Sequence, residues 1–95
     1  MPSIKQGPQV LRHGPWRRID KKTARKLYYS ADVEMGMSPS NINDYWVFNM
    51  GYLYRFDTKE FRDIDGVDFD WLVRSFEAGL DPKEGRYAHF WVKEE

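Results

Sequence analysis

Hydrophobic positions along the chain fall into two clear helical stripes separated by runs with strand periodicity. The first stripe is Ala24, Leu27, Tyr28 and Ala31, spaced i, i+3, i+4, i+7. Asp20 before it is a good N-cap, and Ile19 with Ala24 can close a hydrophobic staple, so the spacing predicts a helix opening at Lys21. The second stripe is Phe69, Leu72, Val73 and Phe76, opened by Asp68 as N-cap, with Val67 and Leu72 as the staple pair. Gly79 suits the C′ position of that helix, and Pro82 prevents its resumption.

The remaining apolar runs read as strands. Trp16–Ile19 leads into the first helix, and Val33–Met37 follows it and is closed by Pro39. Tyr45–Phe48 and Tyr52–Phe56 read as the two arms of a β-hairpin with Gly51 at positive φ, or as one long strand bulged there. Arg86–Val92 is the last strand; Ala88, Phe90 and Val92 form its core face, and Tyr87, His89 and Trp91 face the other way. Residues 1–15, with Pro2, Gly7, Pro8, Gly14 and Pro15, read as an irregular arm, extended at most around Gln9–Arg12. Asp57–Gly66 reads as an acidic connector, and Pro82–Gly85 as a turn. The order β-α-β-β-α-β, or α-β-β-α-β if Trp16–Ile19 is not a strand, predicts one α+β domain over residues 16–95. Its expected architecture is an antiparallel sheet of three to four strands with two helices packed on one face.

At 95 residues there is room for one core, and four Trp, six Tyr and six Phe supply large apolar area for it. No Cys is present, which excludes disulfides, thiolate nucleophiles and Cys-based zinc sites. Residues 1–8 lack the apolar segment of a signal peptide, and no apolar run approaches the ~18 residues of a membrane span, so a cytoplasmic location is expected.

Charge changes this picture most. Residues 1–31 carry eight Lys/Arg against one Asp, and residues 32–95 carry seven against fourteen Asp/Glu, so a net charge of zero hides halves of +7 and −7. Such fields select partners and speed encounters rather than set folds. Two candidate sites follow. One is the row Asp57, Glu60, Asp63, Asp65, Asp68 and Asp70, whose spacing could imitate phosphates. The other is a basic patch of Arg17, Arg18, Lys21, Lys22, Arg25 and Lys26 with Trp16 interleaved, which could grip a phosphate backbone. The acidic remainder would repel a long polyanion, so direct nucleic-acid binding is expected to be weak.

Catalytic chemistry finds no footing. Counted from Asp63, a calcium loop would need Gly at position six and Glu at position twelve; Gly66 falls at four and Arg74 at twelve. His13 and His89 have no nucleophile or motif neighbour. Neither an enzyme, a metal site nor a cofactor is expected.

Gly51–Phe56 resembles, over six residues, the aromatic third strand of RNA-recognition-motif domains, with Leu53 where that strand has a small residue. Over about half the chain, 17-RRIDKKTARKLY-28 and 69-FDWLVRSFE-77 followed by 85-GRYAHF-90 resemble small accessory proteins of bacterial phages and mobile elements. Some proteins of that kind inhibit host defence, anti-CRISPR proteins among them. The resemblance implies non-enzymatic binding to a host protein complex such as a CRISPR effector nuclease, blocking a site that normally holds nucleic acid. The alternative is a small nucleic-acid-binding domain that uses the basic helix and exposed aromatics.

Overall fold

The computed structural model describes residues 12–80 and 87–94. Among them the chain order is β1 (Arg12–His13), β2 (Trp16–Ile19), α1 (Lys21–Ser30), β3 (Glu34–Pro39), α2 (Asp44–Asn49), β4 (Tyr54–Asp57), α3 (Thr58–Arg62), α4 (Phe69–Ala78) and β5 (Ala88–Lys93). The five strands form one sheet in the order β1-β2-β5-β3-β4, with every pair antiparallel. The α+β class is therefore as the sequence predicts. The sheet gains a fifth strand from β1, which is only two residues long. Nearly all of the expected arm, the Pro82–Gly85 turn and Arg86 lie outside the described residues.

Strand β5 sits at the centre, and its register fixes which side chains share a face. Ile19 pairs with Phe90, Met37 with Phe90, and Met35 with Val92. These residues join Ala24 and Tyr28 of α1, Phe69, Leu72 and Val73 of α4, and Phe56 of β4 in the main core. Both helices open at the predicted N-caps. The Asp20 carboxylate accepts the Thr23 N–H at 2.7 Å, and the Asp68 carboxylate accepts the Trp71 N–H at 2.7 Å. Gly79 is the C-cap of α4 itself, with φ −84°, one position before the C′ the sequence suggested. Phe76 only packs against the core as a partly buried residue.

The segment Tyr45–Phe48 is not a hairpin arm. It lies in the short helix α2, capped by the Asn43 side chain, which accepts the Tyr45 N–H at 2.8 Å. Gly51 does take positive φ, at 78°, in the turn that follows. Helix α2 lies across the face of the sheet opposite α1 and α4. Trp91 is fully buried there rather than outward-facing: its ring meets Phe48 edge-on at 4.9 Å, and its Nε1–H donates to the Ser38 hydroxyl at 3.0 Å. Leu53 fills the gap left by Gly36, where a Cβ would come within 2.7 Å of it. The sheet is thus covered on both faces, and β5 reads as a nearly continuous buried run.

The acidic connector also holds more structure than its composition suggests. Asp57 and Glu60 have the spacing of an N-cap and its third helical residue, and the Asp57 carboxylate accepts the Glu60 N–H at 3.1 Å to open α3.

Candidate functional site

The connector is braced from beneath. Arg62 donates to the carbonyls of Tyr28 and Ala31, each at 2.9 Å, and pairs with Asp32. The Tyr28 hydroxyl donates to the Val67 carbonyl at 3.2 Å, and the Phe69 N–H donates to the Tyr29 hydroxyl at 3.0 Å. Burial raises the Tyr28 pKa, which keeps that phenol a donor. Gly66, at φ 85°, supplies a left-handed position in the turn. The acidic segment is therefore held against α1 and the residues that follow it, Ala31 and Asp32, by hydrogen bonds and an ion pair.

On this frame the six carboxylates separate into three groups. Asp57 and Asp68 are helix caps. Asp70 pairs with Arg25 at 2.5 Å, and the hydrogen bond from that guanidinium holds its carboxyl below the ordinary carboxylate range. Glu60, Asp63 and Asp65 are exposed, and their side chains make no hydrogen bond or ion pair among the described residues. The row is a set of three presented charges flanked by two capping ones, with Asp70 neutralised by α1.

Next to these carboxylates lies an apolar groove of about 390 Å³, which the sequence reading missed. Its lining comes from Phe61 of α3, Ile64 and Val67 of the turn, Trp71, Leu72, Ser75 and Phe76 of α4, and Tyr54 of β4. Ile64, Trp71 and Tyr54 remain 50%, 45% and 45% exposed, although all three are large and apolar or aromatic. The signal was present as Phe61, Ile64 and Val67, spaced three apart within the acidic run. Their carboxylate neighbours Asp63, Asp65 and Asp68 are exposed beside the groove. Strand β4 is an edge of the sheet, so Tyr54 stands at a border with no further strand beyond it among the described residues.

The basic patch is dispersed rather than gathered. Trp16 is buried, not an exposed anchor: it packs against Phe48 at 6.2 Å, and the Arg55 guanidinium lies 5.4 Å from its ring centre. Arg17 pairs with Glu94 at 2.9 Å. Arg18 is half-buried with its guanidinium 5.8 Å from the Trp91 ring, and burial lowers its pKa. Arg25 is committed to Asp70. Lys21, Lys22 and Lys26 remain on the exposed side of α1. The halves of opposite charge therefore meet in the fold, through Arg17–Glu94 and Arg25–Asp70.

His89 lies in a cleft with Arg18, Lys21, Glu77 and Tyr87. Burial first, and the Arg18 charge second, lower its pKa. Its ring meets Tyr87 at 5.8 Å, and among the described residues no serine or threonine lines the cleft. Among the described residues no group of three His, Cys, Asp or Glu side chains is placed to hold a metal ion. Nor is any described helix long and apolar enough to cross a membrane. No protein-family model, curated protein or solved structure matches this chain.

Proposed function

We propose that this protein is a non-enzymatic inhibitor that acts by binding, in the manner of anti-CRISPR proteins of phages and mobile elements. Its acidic end occupies a basic site on a host protein complex that otherwise holds nucleic acid, in the cytoplasm of a bacterial cell. An RNA-guided nuclease is the first candidate partner. The observation that carries this reading is the braced presentation of Glu60, Asp63 and Asp65 as exposed carboxylates without side-chain partners among the described residues. Charges fixed before encounter cost less to order on binding than charges on a loose loop. The competing basic surface is weakened by the burial of Trp16 and the pairing of Arg17 and Arg25.

The test is RNA-guided cleavage with wild-type protein and with the triple variant Asp63→Asn, Asp65→Asn, Asp68→Asn. Asparagine keeps the cap at residue 68, so the variant changes charge and preserves the helix start. The wild type should slow cleavage and displace labelled nucleic acid from the nuclease, and the variant should lose both effects. If the variant inhibits as well as the wild type, the acidic end is not the contact. If neither acts on any nuclease tested, while a pull-down from bacterial lysate recovers a partner without a nucleic-acid site, inhibition by phosphate imitation is wrong.

A further inference from the structure

We propose that the groove beside the acidic turn receives two apolar side chains from a basic polypeptide segment of the partner. The inference rests on the reading of the acidic end as the contact surface and adds a polypeptide ligand to it. Carboxylates alone would satisfy a basic site of any chemistry; the groove requires something apolar to enter it.

The geometry sets the size of what enters. Leu72 forms a buried floor, while Trp71, Tyr54 and Ile64 rise around it half-exposed. A volume of about 390 Å³ lies at the small end of the ~300–1,000 Å³ typical of ligand sites and suits about two side chains of leucine or phenylalanine size. Along α4 the lining runs from Trp71 to Phe76, a rise of about 7.5 Å at ~1.5 Å per residue. That length matches two anchors one helical turn apart, which sit roughly 5–6 Å from each other. Aromatic residues left half-exposed around a hollow are the residue type that dominates binding energy at protein interfaces.

Charge selects the occupant. Residues 57–70 hold six carboxylates, of which Asp70 is paired with Arg25, against Lys59 and Arg62, and Arg62 is turned inward onto the Tyr28 and Ala31 carbonyls. A nucleic acid or an anionic lipid surface would be repelled from this rim, and an acidic peptide likewise. A segment with lysine or arginine flanking its apolar anchors meets both the hollow and the rim. The α2 surface around Tyr45, Trp46 and Met50 is also exposed and aromatic, but among the described residues it borders no comparable row of carboxylates.

The experiment uses a short synthetic amphipathic leucine–lysine peptide as probe, titrated into the protein and followed by amide chemical shifts. Controls are a leucine–glutamate peptide and an all-lysine peptide of equal charge. The leucine–lysine peptide should bind and shift Ile64, Val67, Trp71 and Ser75. The all-lysine peptide should bind at least about tenfold more weakly, a difference of roughly 1.4 kcal/mol. The leucine–glutamate peptide should not bind. Ser75→Lys, which puts bulk and positive charge at an exposed groove position, should weaken the leucine–lysine peptide by about tenfold or more with an unchanged circular dichroism spectrum. Equal binding of the leucine–lysine and all-lysine peptides would overturn the groove while leaving the acidic-surface reading standing. Shifts confined to Trp46 and Met50, or full binding by Ser75→Lys, would overturn it as well. Loss of nuclease inhibition in the asparagine triple variant but not in Ser75→Lys would assign the contact to charge alone.

Discussion

Trp91→Ala should be among the most damaging single substitutions in this protein, because Trp91 ties α2 to the sheet. Its side chain is fully buried, its ring meets Phe48 at 4.9 Å, and its indole N–H is bound by the Ser38 hydroxyl at 3.0 Å. Truncation to alanine removes the ring and leaves a cavity, a change that costs about 3–5 kcal/mol. It also strands the Ser38 hydroxyl, which is 1% exposed, at a further cost of roughly 1–3 kcal/mol. For a 95-residue domain total stability is about 5–14 kcal/mol at ~0.05–0.15 kcal/mol per residue, so the alanine variant stands near the limit of folding. Trp91→Phe keeps most of the ring and loses the hydrogen bond, so it should cost less, about 1–3 kcal/mol. Urea unfolding followed by circular dichroism measures both. A loss below about 1 kcal/mol for Trp91→Ala would show that α2 does not cover this face, and equal losses for the two variants would show that the cavity plays no part.

Gly36→Ala should destabilise by about 1–3 kcal/mol, read as a lower urea midpoint, because the added Cβ meets the Leu53 side chain at 2.7 Å; an unchanged midpoint would place Leu53 elsewhere. His89 gives stability a pH dependence. Its folded pKa is lowered by burial and by Arg18, with Asp44 opposing, so the unfolded chain takes up the proton first. The contribution is complete above the unfolded value of about 6.5 and is lost as pH falls through the lowered one. Urea midpoints should therefore fall between about pH 7 and 5 in the wild type and fall less in His89→Gln; identical pH profiles would refute the assignment. Fluorescence anisotropy with single- and double-stranded oligonucleotides should show no sub-micromolar binding at physiological salt. Tight binding abolished by neutralising Lys21, Lys22 and Lys26 would favour the nucleic-acid reading instead.

Helices α1 and α4 were legible because each carries a capping aspartate and more than two turns of apolar stripe. Helix α2 was not. Six residues cannot distinguish a period of 3.6 from one of 2, and Tyr-Trp-Val-Phe has the composition of a strand. Only the Asn43 cap marks it locally. The alternation of β5 correctly separated Phe90 from Trp91, but whether the second face is covered depends on where α2 lands, which is a long-range contact. For the same reason Trp16 read as a surface residue beside basic neighbours. The charges were legible as a row and as a patch. Which of them are spent inside the fold was not, since Arg25–Asp70 spans 45 residues and Arg17–Glu94 spans 77.

Association kinetics with the captured partner test the central claim most directly, comparing wild type with the Asp63→Asn, Asp65→Asn, Asp68→Asn variant at low and high salt. Steering by exposed carboxylates is screened beyond a Debye length of roughly 10 Å at 0.1 M salt. The wild-type on-rate should therefore fall steeply as salt rises. The variant should associate more slowly at low salt and converge on the wild type at high salt. Equal on-rates with equal salt dependence would contradict an acidic end built for contact.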